Sequence, residues 1–138
     1  MELEERAAHL KKVPLFEDLS EKEIKTVAEW AKSVEHPEGE IMVEEGKLGY
    51  AFHLMIEGHA EVTMSGGHTR TLGPGDYFGE IALIDKGPRM ATVTATEPVT
   101  TLALSAWKFR TMIDRYPDAT AKLLFGLCKV IRAQAAER

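Results

Sequence analysis

The chain has 138 residues, 44% hydrophobic and 28% charged, with a formal net charge of −5. That is one domain's worth of chain with a real core, and its acidic balance argues against a protein whose main work is gripping nucleic acid by neutralising phosphates. The single cysteine, Cys128, excludes an internal disulfide and points to a reducing, cytoplasmic setting. No apolar run approaches membrane-spanning length, and the charged start Met1-Glu2-Leu3-Glu4-Glu5-Arg6 carries no signal-peptide pattern, so neither membrane nor secretion is expected.

In chain order, residues 3–12 predict a short charged helix ending near Pro14. Ser20 and Glu23 have capping-box spacing: the hydroxyl accepts from a free backbone N–H and the carboxylate reaches back. Ile24, Val27, Ala28 and Ala31 then share one helical face, with Leu15, Phe16 and Leu19 tucked under it. Residues 1–36 form a helical lead-in. Residues 37–104 read as short strands between glycine turns: Ile41 and Val43, then Phe52-His53-Leu54-Met55-Ile56, then alternating Ala60, Val62 and Met64. Ser65-Gly66-Gly67 predicts a hairpin turn, and Thr69-Arg70-Thr71-Leu72 leads into Gly73-Pro74-Gly75-Asp76. Late strands fall at 91–95 and 99–104. Many short strands with regular turns predict a mainly β chain with flanking helices, a jelly-roll barrel.

Residues 105–138 read as helical again. Ser105 caps a helix over 107–115. Pro117 breaks it and starts another that runs to about residue 137, with Leu123, Leu124, Leu127, Val130 and Ile131 as its apolar stripe. That stripe reads as core or lid packing, or as a dimer seam. Cys128 reads as a buried small hydrophobe and Trp30 and Trp107 as packing residues.

The chemistry concentrates in residues 73–93. Gly79 lets backbone approach a ligand closely, and Glu80-Ile81-Ala82-Leu83-Ile84 predicts a short helix whose first N–H groups suit an anion. Arg89, after Gly87-Pro88, offers a planar fork for phosphate. Glu80 repels a phosphate but can accept from a sugar hydroxyl, so a phosphate fused to a ribose satisfies both side chains. From the residues alone, a structural turn with a surface salt bridge remains the competing reading.

The run Phe78-Gly79-Glu80-Ile81-Ala82-Leu83-Ile84, followed by Pro88-Arg89-Met90-Ala91-Thr92-Val93, closely resembles the phosphate-binding cassette of cyclic-nucleotide-binding domains. Such domains occur in cAMP-dependent protein kinase regulatory subunits and in the catabolite activator family. Pro14-Leu15-Phe16, Glu45-Gly46 and Glu57-Gly58 extend the likeness over nearly the whole chain. The resemblance implies one cyclic-nucleotide-binding domain over residues 1–138. Its ligand site would comprise Gly79, Glu80, Ile81, Ala82, Arg89, Met90 and Ala91. Glu80 would accept from the ribose 2′-hydroxyl, Arg89 would pair with the exocyclic oxygens, and the N–H groups of Ile81, Ala82 and Ala91 would complete the cradle.

Two features depart from the family. Met90 stands where a small residue is usual, or a Thr in cGMP-preferring kinase domains. It offers guanine no hydroxyl, which favours cAMP over cGMP, and its bulk could narrow the pocket. Lys47-Leu48-Gly49-Tyr50 is less acidic than the usual loop. The implied role is a regulatory sensor, not an enzyme, with no cofactor and no metal. It would relay through its C-terminal helices to a protein partner or to self-association. The chain after residue 104 is too short for a DNA-binding winged helix. A structural or interaction module with a vestigial pocket is the alternative. A metal-dependent cupin-like enzyme is weaker, because His53, His59 and His68 lack His-x-His spacing and read as ordinary strand or turn histidines. No P-loop, dinucleotide fingerprint or nucleophile elbow is present.

Overall fold

The computed structural model describes residues 1–49, 51–79 and 89–136. They form two compact units, one of Met1–Trp30 with Lys108–Arg138 and one of Ala31–Trp107.

In the helical unit, α1 (Leu3–Lys11) has Glu4 and Glu5 in its first turn and His9 and Lys11 in its last, charges that complement the helix dipole. A 3-10 turn (Pro14–Phe16) and α2 (Glu21–Trp30) follow. The capping box forms as the sequence predicts. The Glu23 N–H donates to Ser20 Oγ at 3.2 Å and the Ser20 N–H to Glu23 Oε1 at 2.8 Å. Ile24, Val27, Ala28 and Ala31 are all buried.

Two further helices, α3 (Ala106–Arg115) and α4 (Pro117–Ala136), complete the C-terminal part. Phe109 of α3 packs against Phe16 with ring centroids 6.3 Å apart. The backbone of α4 lies directly on the 3-10 turn: a Cβ at Gly126 would collide with the Leu15 carbonyl and sit 2.7 Å from its carbon. Lys122 of α4 pairs with Glu23 at 2.7 Å, and Lys129 pairs with Glu17 and Asp18.

The strand unit consists of two antiparallel sheets. One has the order β1-β8-β3-β6 and the other β2-β7-β4-β5. Their strands are β1 (Lys32–His36), β2 (Ile41–Val43), β3 (Ala51–Glu57), β4 (Ala60–Thr63), β5 (Thr69–Leu72), β6 (Tyr77–Phe78), β7 (Thr92–Ala95) and β8 (Val99–Ser105). Met55, Phe78 and Val99 of the first sheet and Ala60, Leu72, Val93 and Ala95 of the second belong to one buried cluster, so the sheets pack face to face.

The expected mainly β fold with flanking helices is present. Among the described residues, however, the sheets do not close into a hydrogen-bonded barrel. The hairpin at Gly66-Gly67 forms, with both glycines at positive φ and the Gly67 N–H donating to Met64 O at 3.1 Å.

Several expectations are corrected. β1 lies within the stretch read as helical lead-in. It is a polar strand at the edge of its sheet, paired among the described residues with β8 alone, and it carries no apolar alternation to announce it. On α4, Leu123 and Val130 are buried, but Leu124 and Ile131 are exposed, and so is Cys128. Trp107 is exposed as well. No helix among the described residues is long and apolar enough to cross a membrane.

Candidate anion site

A cavity of about 560 Å³ opens in the strand unit, within the range of small-molecule sites. Its apolar wall is β2, Ile41 to Val43. Its polar wall is built from Lys47, Gly49, His53 and Arg89.

Arg89 is only 8% exposed although its side chain is permanently charged. Its backbone is clamped on both sides. The Arg89 N–H donates to Lys47 O and its carbonyl accepts from the Gly46 N–H, each at 2.8 Å. The guanidinium Nη2 donates to Ala51 O at 2.6 Å.

Two glycines make the slot in which this side chain runs. A Cβ at Gly49 would overlap Nε and Cζ and sit 2.5 Å from Nη2. A Cβ at Gly79 would sit 2.5 Å from Nη1 and 2.6 Å from Ala51 O. Gly79 also has φ +86°, a conformation that only glycine adopts without strain. The predicted site residues Gly79 and Arg89 are therefore in direct contact. Ala91 is half-buried just before β7. Met90 is 70% exposed and does not line the cavity, so the narrowing expected from its bulk is not seen. Glu80, Ile81 and Ala82 lie outside the described residues.

Sequence reasoning missed two members of this site. Gly49 belongs to the loop that looked merely atypical; it takes the long side of the arginine. His53 looked like an ordinary strand histidine, yet it is buried on the cavity wall. Its Nδ1 lies 3.2 Å from Thr101 Oγ1, and its ring stacks on Phe78 at 5.0 Å. Burial, with the nearby charges of His36 and Arg89, pushes its pKa down to about 4, so it is neutral at neutral pH. Among the described residues no group of three or more His, Cys, Asp or Glu side chains could hold a metal ion.

Residues 33–116 match the family described as cyclic nucleotide-binding domain. The chain belongs to this family. It is 40% identical over 111 residues to a cAMP-dependent protein kinase regulatory subunit of Yarrowia lipolytica, covering 79% of this chain and 30% of that protein. It is 33% identical over 128 residues to a cyclic AMP receptor protein of Thermus thermophilus, covering 89% of this chain and 59% of that protein. Among solved structures, the regulatory domain of Toxoplasma gondii PKA with cAMP superposes with a TM-score of 0.76 at 25% identity, covering 99% of this chain and 50% of that one. The chain thus spans less than two thirds of the length of each of these relatives.

Proposed function

We propose that this cyclic-nucleotide-binding domain is a cAMP sensor that signals through its C-terminal helices to a protein partner or to a second copy. The observation that carries the reading is the buried guanidinium of Arg89, seated in a glycine slot on the wall of a ligand-sized cavity. A guanidinium presented on the wall of such a cavity offers a planar donor fork, and the two exocyclic oxygens of a phosphodiester monoanion match that fork in charge and geometry. Arg89 pairs with the exocyclic oxygens, and the N–H groups of Ile81, Ala82 and Ala91 line the rest of the anion. Glu80 accepts from the ribose 2′-hydroxyl.

Position 90, where a hydroxyl would meet guanine, carries Met90, whose side chain lies off the cavity wall and offers no donor, which favours cAMP. The similarity to a cAMP-dependent protein kinase regulatory subunit, to a cyclic AMP receptor protein and to a PKA regulatory domain in complex with cAMP supports the same choice. The domain spans residues 1–138, works in the cytoplasm and catalyses nothing itself; its output is a change in the helical unit. Because one ligand must favour one state over another, that change requires different cAMP affinities in the two states.

One observation favours a second reading. Arg89 Nη2 already donates to the chain's own Ala51 carbonyl, as it would in a vestigial pocket where the arginine only braces the loop. Calorimetric titration with cAMP and cGMP separates the two. Saturable binding that Arg89→Ala abolishes supports the sensor, and absence of binding to both nucleotides supports the brace.

A further inference from the structure

Three strands bring two histidines and a threonine together beside Arg89. In the order β1-β8-β3, the buried Thr101 of β8 stands between His36 of β1 and His53 of β3. Thr101 Oγ1 lies 3.1 Å from His36 Nε2 and 3.2 Å from His53 Nδ1. His36 Nδ1 is held by the Glu40 carboxylate. The chain is thus Glu40–His36–Thr101–His53, and its last member lines the cavity.

A hydroxyl has one proton and can donate it to only one of the two rings. The Glu40 carboxylate accepts only, so His36 keeps a proton on Nδ1 whether the ring is neutral or charged. When His36 is neutral, its bare Nε2 accepts from the Thr101 hydroxyl. Thr101 Oγ1 must then accept from His53 Nδ1–H, and neutral His53 is left with a lone pair on Nε2. When His36 takes a proton from solvent, its Nε2–H donates to Thr101 Oγ1. The hydroxyl proton turns to His53 Nδ1, and the proton of His53 resides on Nε2. His53 stays neutral in both states, and one proton is gained overall.

We propose that His53 contacts the bound anion through Nε2, and that the protonation of His36 decides whether it meets that anion with a lone pair or with an N–H donor. This rests on the reading of the cavity as an anion site. Anion affinity then rises when His36 takes up its second ring proton, and by reciprocity the bound anion favours proton uptake at His36. A cyclic phosphodiester keeps its single charge throughout, so the ligand itself adds no pH dependence. Among the described residues beside His53, Arg89 is always charged and Phe78 is uncharged. Elsewhere on the cavity wall Glu44 and Lys47 pair with each other at 2.7 Å. Histidine is the side chain that ordinarily changes charge between about pH 5 and about pH 8.

Two measurements test the proposal. Imidazole 15N spectra of the native chain without ligand, recorded from about pH 8 to about pH 5, should show His53 passing from the Nδ1–H to the Nε2–H form in step with protonation of His36. One unchanging His53 tautomer overturns the relay. Calorimetry with cAMP over the same range should show native affinity rising about tenfold as pH falls, and a flat profile in Thr101→Val, which keeps both rings but removes the shared hydroxyl. Native binding that does not vary with pH overturns this proposal alone. No binding of cAMP at any pH overturns the anion-site reading, and the ligand contact of His53 with it.

Discussion

Gly49→Ala should separate folding from binding. Gly49 is not at positive φ, so alanine fits its backbone without strain. The new methyl, however, would overlap Arg89 Nε and Cζ and lie 2.5 Å from Nη2. The atoms in the way are the far end of a flexible side chain, so the fold survives by displacing the arginine, not by moving backbone. What is lost is the Nη2 bond to Ala51 O and the buried position of the charge. A hydrogen bond involving a charged group contributes about 1.5–3 kcal/mol, part of which returns as the guanidinium reaches water. The stability cost should therefore stay below about 2 kcal/mol. The binding cost should approach that of Arg89→Ala, about 2–5 kcal/mol, or from about 30-fold to a few thousand-fold in Kd. Thermal melts and cAMP calorimetry on Gly49→Ala, Arg89→Ala and the double variant form a cycle, and the double variant should bind no worse than Arg89→Ala. Native affinity in Gly49→Ala would refute the idea that the seated guanidinium makes the site.

Gly79→Ala meets both Arg89 and the Ala51 carbonyl at positive φ, so it should lower Tm as well as affinity, unlike Gly49→Ala; an unchanged melt counts against the slot. Gly126→Ala should destabilise by about 1–3 kcal/mol, because its methyl meets backbone of Leu15 and not a movable side chain, and an unaltered denaturant midpoint contradicts that contact. Ser20→Ala should cost about 0.5–2 kcal/mol through the lost cap on Glu23 N–H, read by the same unfolding curves. Stability should also fall as pH drops from 6.5 towards about 4. His53 binds its proton less readily folded than unfolded, so the unfolded chain gains protons first; His53→Phe should flatten that part of the profile.

The elements legible in the sequence were those whose signal is local. The Ser20–Glu23 box, the Gly66-Gly67 hairpin and the Pro117 break each depend on neighbours within a few residues. Gly79 and Arg89 were legible because the cassette motif couples a glycine to an arginine ten positions on. What stayed hidden depends on distant partners. β1 is recognisable only by its pairing with β8, since an edge strand need not alternate. Gly49 matters because Arg89, forty residues later, lies against it. His53 gains its role from Thr101 and His36, on two other strands, and spacing rules written for metals could not find it. Helical periodicity on α4 gave the buried Leu123 and Val130, but it could not tell which edge of the stripe is covered, hence the exposed Leu124, Cys128 and Ile131.

The most direct test is one calorimetric titration of cAMP and cGMP into the native chain and into Arg89→Ala. A guanidinium held for a cyclic phosphate predicts saturable binding, tighter for cAMP, that disappears in the variant. Equal affinity in both proteins, or no heat from either nucleotide in the native chain, would contradict it.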